Sequence, residues 1–242
     1  MKKQVAPYGL QIFQSCLSCP VRENALFCDL SLEVLARLNA IRQTSLYPAG
    51  ALLFVEGEPC RGIFVLCTGR AKLTASSPLG RSVIMRIAVT GEVLGLSDTL
   101  CGTHYIATAE TLEPSQLNFL PQTEFLSFLE SHGEVAVRVA RHLSTELRLA
   151  YHQLARVVLA PTARAKLAGL LLDDMNRGGQ ATSQGTRCQL RLTHEEIGEL
   201  IGTTRETVSR ILGEFRRRGL IQIRGTTITV LSPDSLQALL GG

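Results

Sequence analysis

Hydrophobic positions change their period along the chain, and the change divides it into three kinds of predicted structure. From residue 45 to residue 125, short apolar runs alternate with glycines at near-regular spacing, which indicates the strands of a sandwich or barrel. The expected strands are residues 51–55, 63–68, 71–75, 82–89, 107–112 and 116–120. Beyond them the apolar period lengthens to that of helices.

A long helix is predicted next. Apolar residues alternate at spacings of four and three, the heptad pattern of a seam that pairs with a second copy of the chain. The seam consists of Ala136, Ala140, Leu143, Leu147, Ala150, Leu154 and Val157. A helix lying against its own β domain is the alternative. Pro161 disfavours helix at Ala160, so we expect a break there, a further helix over about 162–176 and a solvated loop at 178–185.

Two short helices around a glycine follow. Thr193 is a candidate N-cap with Glu196 positioned to close a capping box, and Gly202 suits the left-handed end of the first helix. The second helix is expected to start near Thr204. Its core stripe is Val208, Ile211, Leu212 and Phe215.

The opposite arc of the second helix carries Glu206, Ser209, Arg210, Gly213 and Arg217, with Arg205 at its flank. Arg donates to guanine, Glu accepts from cytosine and Ser suits either, so this arc fits reading of the major groove. The hairpin expected at 221–230 completes a winged helix-turn-helix. Ordinary packing is the alternative, with 216–218 as a solvated C-terminal cap and Glu206 as the capping acid of Thr203.

Charge and composition narrow the function classes. The chain has 242 residues, 45% of them hydrophobic, and a net charge of +4. From residue 157 onward there are 11 Lys and Arg against 8 Asp and Glu, whereas residues 87–137 contain neither Lys nor Arg. The basic character thus lies toward the C-terminal part, as expected for contact with phosphates. No sequence motif of a catalytic site is present, so we do not expect an enzyme.

Localisation follows from two further features of the sequence. No apolar run approaches the roughly 18 residues of a membrane span, and the N-terminus lacks the apolar core of a signal peptide. We therefore expect a cytoplasmic protein without membrane contact, whose cysteines are mostly reduced.

The helix-turn-helix residues resemble a known family. Residues 204–212 are similar to the recognition helix of the CRP/FNR superfamily of bacterial transcription regulators, and Ser209 before Arg210 resembles the FNR branch. The resemblance implies TTGA-type half-sites with Glu206, Ser209 and Arg210 as base readers. The full set of expected DNA contacts is Thr193, Thr204, Arg205, Glu206, Ser209, Arg210 and Arg216.

The resemblance extends over most of the chain, because residues 47–50, 54–58 and 91–95 are similar to the double-stranded β-helix sensor of the same superfamily. It implies an α+β fold with an N-terminal jelly-roll domain like cyclic-nucleotide-binding domains, a long dimerisation helix and a C-terminal winged helix-turn-helix domain. The expected division is a cysteine-containing segment at 1–30, the β-roll at 31–129, the dimerisation helix at 130–160 and the DNA-binding domain at 161–242.

A cyclic-nucleotide ligand is not expected. A buried cyclic phosphate needs an Arg to compensate its charge. In the cAMP-binding branch that Arg precedes a Ser or Thr about a dozen residues beyond a Gly-Glu pair. Gly91 and Glu92 are present here, but Thr103 and His104 stand where the Arg and the hydroxyl residue belong. His104 is expected to be a neutral loop residue.

Cys16, Cys19 and Cys28 form Cys-x2-Cys-x8-Cys, a spacing that suits a metal or iron–sulfur cluster better than a disulfide. In the FNR branch three N-terminal cysteines and one near the end of the β domain hold a [4Fe–4S] cluster, but here Asn118 aligns with the fourth. Any of Cys60, Cys67 and Cys101 is a candidate replacement, and the sequence selects none of them. The alternatives are a thiol-based redox switch, free thiols packed as small hydrophobes and a vestigial site.

The sequence thus predicts a homodimeric, sequence-specific transcription regulator that binds double-stranded DNA and pairs with itself through residues 136–157. RNA polymerase is an expected further partner. A redox, oxygen or small-molecule signal other than cAMP is expected to control it. The alternatives are a ligand-independent regulator with a vestigial sensor domain and a cyclic-nucleotide-binding module.

Overall fold

A computed structural model describes residues 7–10, 12–19, 25–77, 82–159, 162–183, 185–188, 192–225 and 227–240. The chain forms two compact units, Met1–Glu146 and Leu147–Gly242. The helix break expected at Ala160 and Pro161 lies outside the described residues. Within the described part of the chain, no helix combines the length and the apolar character that crossing a membrane requires.

The first unit is built on two antiparallel sheets. The first sheet has the order β1-β8-β3-β6 and consists of β1 (Gln43–Tyr47), β8 (Ser115–Pro121), β3 (Gly62–Thr68) and β6 (Val93–Leu94). The second has the order β2-β7-β4-β5 and consists of β2 (Leu52–Phe54), β7 (Thr108–Thr111), β4 (Arg70–Ser76) and β5 (Ser82–Val89). The six predicted strands are confirmed, whereas β1 and β6 were not predicted. The paired sheets are the expected jelly-roll.

Four helices of the described chain begin in this unit: α1 (Leu32–Ile41), α2 (Leu96–Cys101), α3 (Gln122–Ser131) and α4 (Gly133–Leu159). A short 3₁₀ turn at Cys16–Ser18 precedes them. One core cluster joins α1, α3 and the start of α4 to β3, and Phe27 meets Phe125 edge to face within it, with ring centroids 5.7 Å apart. The N-terminal segment is therefore part of the first unit's core.

Helix α4 changes its surroundings along its length. Val135 and Val139 are buried in the core of the first unit, and Leu143 packs against it. The alternative of a helix lying against its own β domain is therefore correct for the first turns. Leu147 and Leu154 are 53% and 60% exposed, which leaves the later part of the predicted seam uncovered in the protomer.

The second unit combines helices with a small antiparallel sheet. Its helices are α5 (Ala163–Gly178), α6 (His194–Ile201), α7 (Arg205–Arg217) and α8 (Pro233–Ala238). Its sheet has the order β11-β12-β10-β9 and consists of β9 (Gln180–Thr182), β10 (Gly185–Arg187), β11 (Ile221–Arg224) and β12 (Thr227–Val230). The predicted hairpin at 221–230 is confirmed. The loop predicted at 178–185 is wrong: these residues include β9 and the start of β10, a hairpin that pairs with β12.

Candidate functional site

The helix-turn-helix begins with the predicted capping box. The Thr193 hydroxyl accepts a hydrogen bond from the Glu196 backbone N–H at 3.2 Å, and the Glu196 carboxylate accepts one from the Thr193 N–H at 2.7 Å. Gly202 ends α6 in the left-handed conformation, with φ of 68°. Thr204 then caps α7 by accepting from the Thr207 N–H at 3.3 Å. The alternative in which Glu206 caps Thr203 is wrong, because Thr204 is the capping residue.

Gly198 lets α6 and the turn approach each other closely. A Cβ at this position would lie 2.7 Å from the Thr203 carbonyl oxygen, too close for any side chain without movement of the backbone. The same region holds a hydrogen bond from the Thr203 N–H to the Gly198 carbonyl. The angle at which α7 leaves the turn thus depends on this glycine.

Helix α7 has a buried and an exposed side, as its sequence predicts. Its buried residues are Val208, Ile211, Leu212 and Phe215. The exposed side chains along α7 and at its C-terminal end are Arg205, Glu206, Ser209, Arg210, Arg216, Arg217 and Arg218. The structure therefore brings the predicted base readers Glu206, Ser209 and Arg210 to one solvent-facing surface, while the stripe opposite anchors the helix.

Two polar side chains of this surface, Glu206 and Ser209, have local hydrogen-bond partners. Hydrogen bonds from the Glu206 backbone N–H and the Thr204 hydroxyl lower the pKa of the Glu206 carboxyl, so it is an acceptor at neutral pH. The Ser209 hydroxyl lies 2.8 Å from Nδ1 of His194, the first residue of α6. His194 was missed in the sequence analysis, because its contact joins two helices across the turn.

The arginines after Arg210 differ in their partners. Glu214 pairs with Arg164 of α5 at 2.9 Å and with Arg218 at 3.5 Å. Among the ion pairs within the described part of the chain, none includes Arg210 or Arg216. Arg210 and Arg216 therefore present charge that a DNA molecule can neutralise.

Four thiols line one cavity in the first unit. Cys16, Cys19, Cys28 and Cys67 share its wall with Arg42, Asn118 and apolar side chains of the core. The other candidates for a fourth thiol lie elsewhere, since Cys60 is buried against the Thr99 hydroxyl at 3.1 Å and Cys101 is exposed on α2.

The segment that carries Cys16 is held on the sheet by polar contacts. The Gln116 side chain accepts from the Phe13 N–H at 2.8 Å and donates to the Phe13 carbonyl at 2.7 Å. The Cys16 N–H donates to the Asn39 side chain at 3.1 Å, and the Arg42 guanidinium donates to the Gln14 carbonyl. These contacts fix one edge of the cavity.

Each of the two units contains a region that matches a known protein family. Residues 45–132 match the family model of the cyclic nucleotide-binding domain, and residues 165–239 match that of the Crp-like helix-turn-helix domain. The two matches together cover well over half of the chain, in the order that the fold shows. The chain belongs to the CRP/FNR superfamily. It is a transcription regulator with a helix-turn-helix DNA-binding domain.

Relatives of this CRP/FNR regulator span nearly its whole length. A CRP-like cAMP-activated global transcriptional regulator of Mycobacterium tuberculosis is 25% identical over 87% of this chain and 94% of its own. The fumarate and nitrate reduction regulatory protein of Salmonella typhimurium is 24% identical over 93% and 90%. FixK2 from Bradyrhizobium japonicum shares the fold, with a TM-score of 0.72 and 22% identity over 84% of this chain and 98% of its own. The relatives are regulators and not enzymes.

In this CRP/FNR regulator, Arg86 of the β-roll is held between two carboxylates. Arg86 pairs with Glu92 at 3.1 Å and with Glu146 at 3.3 Å, and it also donates to the Val93 carbonyl. Burial raises the pKa of Glu146, but the His142 hydrogen bond and the Arg86 charge outweigh this effect, so the pKa is lowered. His104 is exposed, as expected for a loop residue. Neither Arg86 nor Glu92 is therefore without an ionic partner in the protomer.

Proposed function

We propose that this protein is a homodimeric regulator that reads TTGA-type inverted repeats through the exposed face of α7. The observation that carries the proposal is the placement of Glu206, Ser209 and Arg210 on one exposed surface whose opposite side is buried. Exposed donors and acceptors in the first turns of a recognition helix are the groups that reach base edges in the major groove.

Each residue of the surface has a distinct proposed role. Arg210 donates to a guanine, the ionised Glu206 accepts from a cytosine amino group, and Ser209 is oriented by His194. Contacts to phosphates are assigned to Thr193, Thr204, Arg205 and Arg216. Thr193 and Thr204 cap the two helices, so their positions bring backbone N–H groups close to any phosphate bound there.

Dimerisation is assigned to the later part of α4, within residues 136–157. The exposed Leu147 and Leu154 are spaced one heptad apart, which suits a seam with a second copy. A two-fold protein reads two half-sites about one helical turn apart, so the seam and the inverted repeat belong together. The division into 1–30, 31–129, 130–160 and 161–242 is part of this proposal.

The signal is assigned to the cysteine-lined cavity rather than to a cyclic nucleotide. Residues 87–137 supply no Lys or Arg for a cyclic phosphate, and Arg86 is engaged with two carboxylates. The cavity gathers four thiols, which are groups that respond to metals and oxidants. The protein is proposed to act in the cytoplasm and to contact RNA polymerase when bound at a promoter.

Selection from random DNA tests the reading surface. The wild-type protein is expected to enrich an inverted repeat with TTGA-type half-sites. Arg210→Ala is expected to weaken binding to that repeat by roughly ten- to a hundredfold per half-site, because a bidentate contact to guanine is worth about 1–3 kcal/mol. Binding to random DNA is expected to change little, as measured by fluorescence anisotropy on both sequences.

Arg216→Ala is the matched control, since it removes an exposed arginine of the same helix that is assigned to phosphate. It is expected to weaken all sequences alike and to reduce the salt dependence by about one unit per half-site. If Arg210→Ala weakens specific and random DNA equally, or if no repeat is enriched, the assignment of the base readers is wrong.

A further inference from the structure

We propose that Cys67 supplies the fourth thiolate of an iron–sulfur cluster that this chain holds with Cys16, Cys19 and Cys28. The inference deepens the proposed function, because it identifies the group that would receive the signal at the cysteine cavity. It moves the fourth ligand from β8, where Asn118 stands, to the neighbouring strand β3.

Strand β3 directs Cys67 to the cavity. Val65 and Leu66 point to opposite sides of the sheet: Val65 belongs to the core cluster shared with α1 and Phe27, and Leu66 to the cluster between the two sheets. Cys67 follows Val65 by two residues, so strand alternation places it on the same side as the N-terminal segment. A register shift between Leu66 and Thr68 leaves Cys67 opposite no single partner on β8.

Asn118 lies beside this position on the paired strand. It pairs in register with Val65, and its amide nitrogen lies 3.7 Å from the Cys16 sulfur. The amide thus donates toward a thiol of the cavity, where the family's ligand would be a thiolate. Relative to the family pattern, the thiol thus lies at Cys67 on β3, and the β8 position holds Asn118, whose N–H donates to a sulfur. Hydrogen bonds of this kind tune the reduction potential of a cluster.

The four thiols surround a cavity whose remaining wall is largely apolar. A [4Fe–4S] cluster suits such a site, because each thiolate binds its own iron and the four sulfurs stand around a cube rather than at one point.

The Arg42 guanidinium gives the cavity a positive charge beside the thiols. Arg42 and the four cysteines line the same cavity. Each thiol would lose its proton on binding iron, and the Arg42 guanidinium, 3.0 Å from the Asn118 side-chain oxygen, would offset part of the negative charge.

Anaerobic reconstitution with ferrous iron and sulfide tests the ligand assignment on the full-length protein. The wild-type protein is expected to hold about four iron and four sulfide per chain and to show a broad visible absorption that bleaches in air. Cys67→Ser is expected to lose most of the iron and the absorption. Cys60→Ser and Cys101→Ser are the matched controls, since these thiols lie outside the cavity, and they are expected to retain both.

A rescue variant distinguishes loss of a ligand from loss of folding. Cys67→Ser combined with Asn118→Cys returns the fourth thiol to the β8 position beside Cys16, and it is expected to recover iron, sulfide and absorption. Circular dichroism is expected to show the same helix content in all variants. Iron content unaffected by Cys67→Ser, zinc in place of iron, or a colourless wild-type protein after reconstitution would each overturn the proposal.

Failure of this inference is separable from failure of the proposed function. A wild-type protein that enriches an inverted repeat but binds no iron would retain the DNA-reading role and remove the cluster. A wild-type protein that holds four iron atoms per chain but selects no repeat would retain the cluster and remove the proposed DNA-reading role.

Discussion

At Gly198, the space between α6 and the turn decides which residue the position accepts. A Cβ there would lie 2.7 Å from the Thr203 carbonyl oxygen, whereas a Cβ at Gly213 would meet only the flexible end of Arg217, at 3.6 Å. Both glycines are helical, so any intrinsic gain from alanine is the same at both positions. The two sites therefore separate steric strain from helix propensity.

Gly198→Ala is expected to destabilise the second unit by about 1–2 kcal/mol, because overpacking costs about 1–3 kcal/mol and the helix gains about 0.5–1 kcal/mol from alanine. Gly213→Ala is expected to stabilise it by about 0.5–1 kcal/mol. Differential scanning calorimetry of the full-length variants measures both shifts. A melting temperature unchanged or raised by Gly198→Ala would show that the turn tolerates a side chain.

The residue positions that sequence predicts well are those whose causes are local. The capping box at Thr193, the left-handed Gly202 and the buried stripe that begins at Val208 each depend on neighbours within a few residues. The fourth thiol and the His194–Ser209 contact do not. Cys67 meets the N-terminal cysteines only because β3 lies beside β8 and the segment at 12–19 packs on that sheet, a pairing that chain spacing does not encode.

At the scale of elements, the two parts of α4 lie in different surroundings. Its first turns bury Val135 and Val139 in the first unit's core, and its later turns leave Leu147 and Leu149 exposed. Only Leu147 belongs to the heptad seam, since Leu149 lies on the opposite side of the helix. Because the two leucines are alike in type and exposure, comparing substitutions at them separates a specific dimer seam from a general effect of losing an exposed apolar side chain.

Leu147→Glu is expected to give monomers, because dimerisation would bury two facing carboxylates without partners. Specific binding to an inverted repeat is then expected to collapse, since each monomer keeps one half-site. Leu149→Glu is the control and is expected to remain dimeric. Analytical ultracentrifugation measures the mass of each variant, and an intact Leu147→Glu dimer would contradict the seam.

Elements with a clear hydrophobic period were predictable, and those without one were not. Strands β3 and β5 alternate or run apolar between glycines, and their bounds agree closely with the sequence prediction. Strands β1 and β9 are largely polar and exposed, and β6 has two residues, so none of them carries a period-two signal. They form by pairing with the edge of a neighbouring strand, so their own residues do not predict them.

At the scale of the whole molecule, the scaffold is shared with regulators whose signals differ. The relative from Mycobacterium tuberculosis is described as cAMP-activated, but 25% identity does not carry that ligand to this chain. On the second sheet, three basic residues pair with carboxylates: Arg70 with Glu113 at 3.2 Å, Lys72 with Glu110 at 3.4 Å and Arg86 with Glu92 at 3.1 Å. Binding a cyclic phosphate to one of these three residues would require its ion pair to open.

Isothermal titration calorimetry with cAMP and with cGMP is therefore expected to give no heat of specific binding. Burying a phosphate costs desolvation free energy, which a guanidinium must offset. Residues 87–137 contain no Arg or Lys that could do so. The titration is done on iron-free and on reconstituted protein, so that an occupied cysteine cavity cannot conceal a nucleotide site. A dissociation constant in the micromolar range in either form would contradict this expectation, and Arg86→Gln would then test whether Arg86 binds the phosphate.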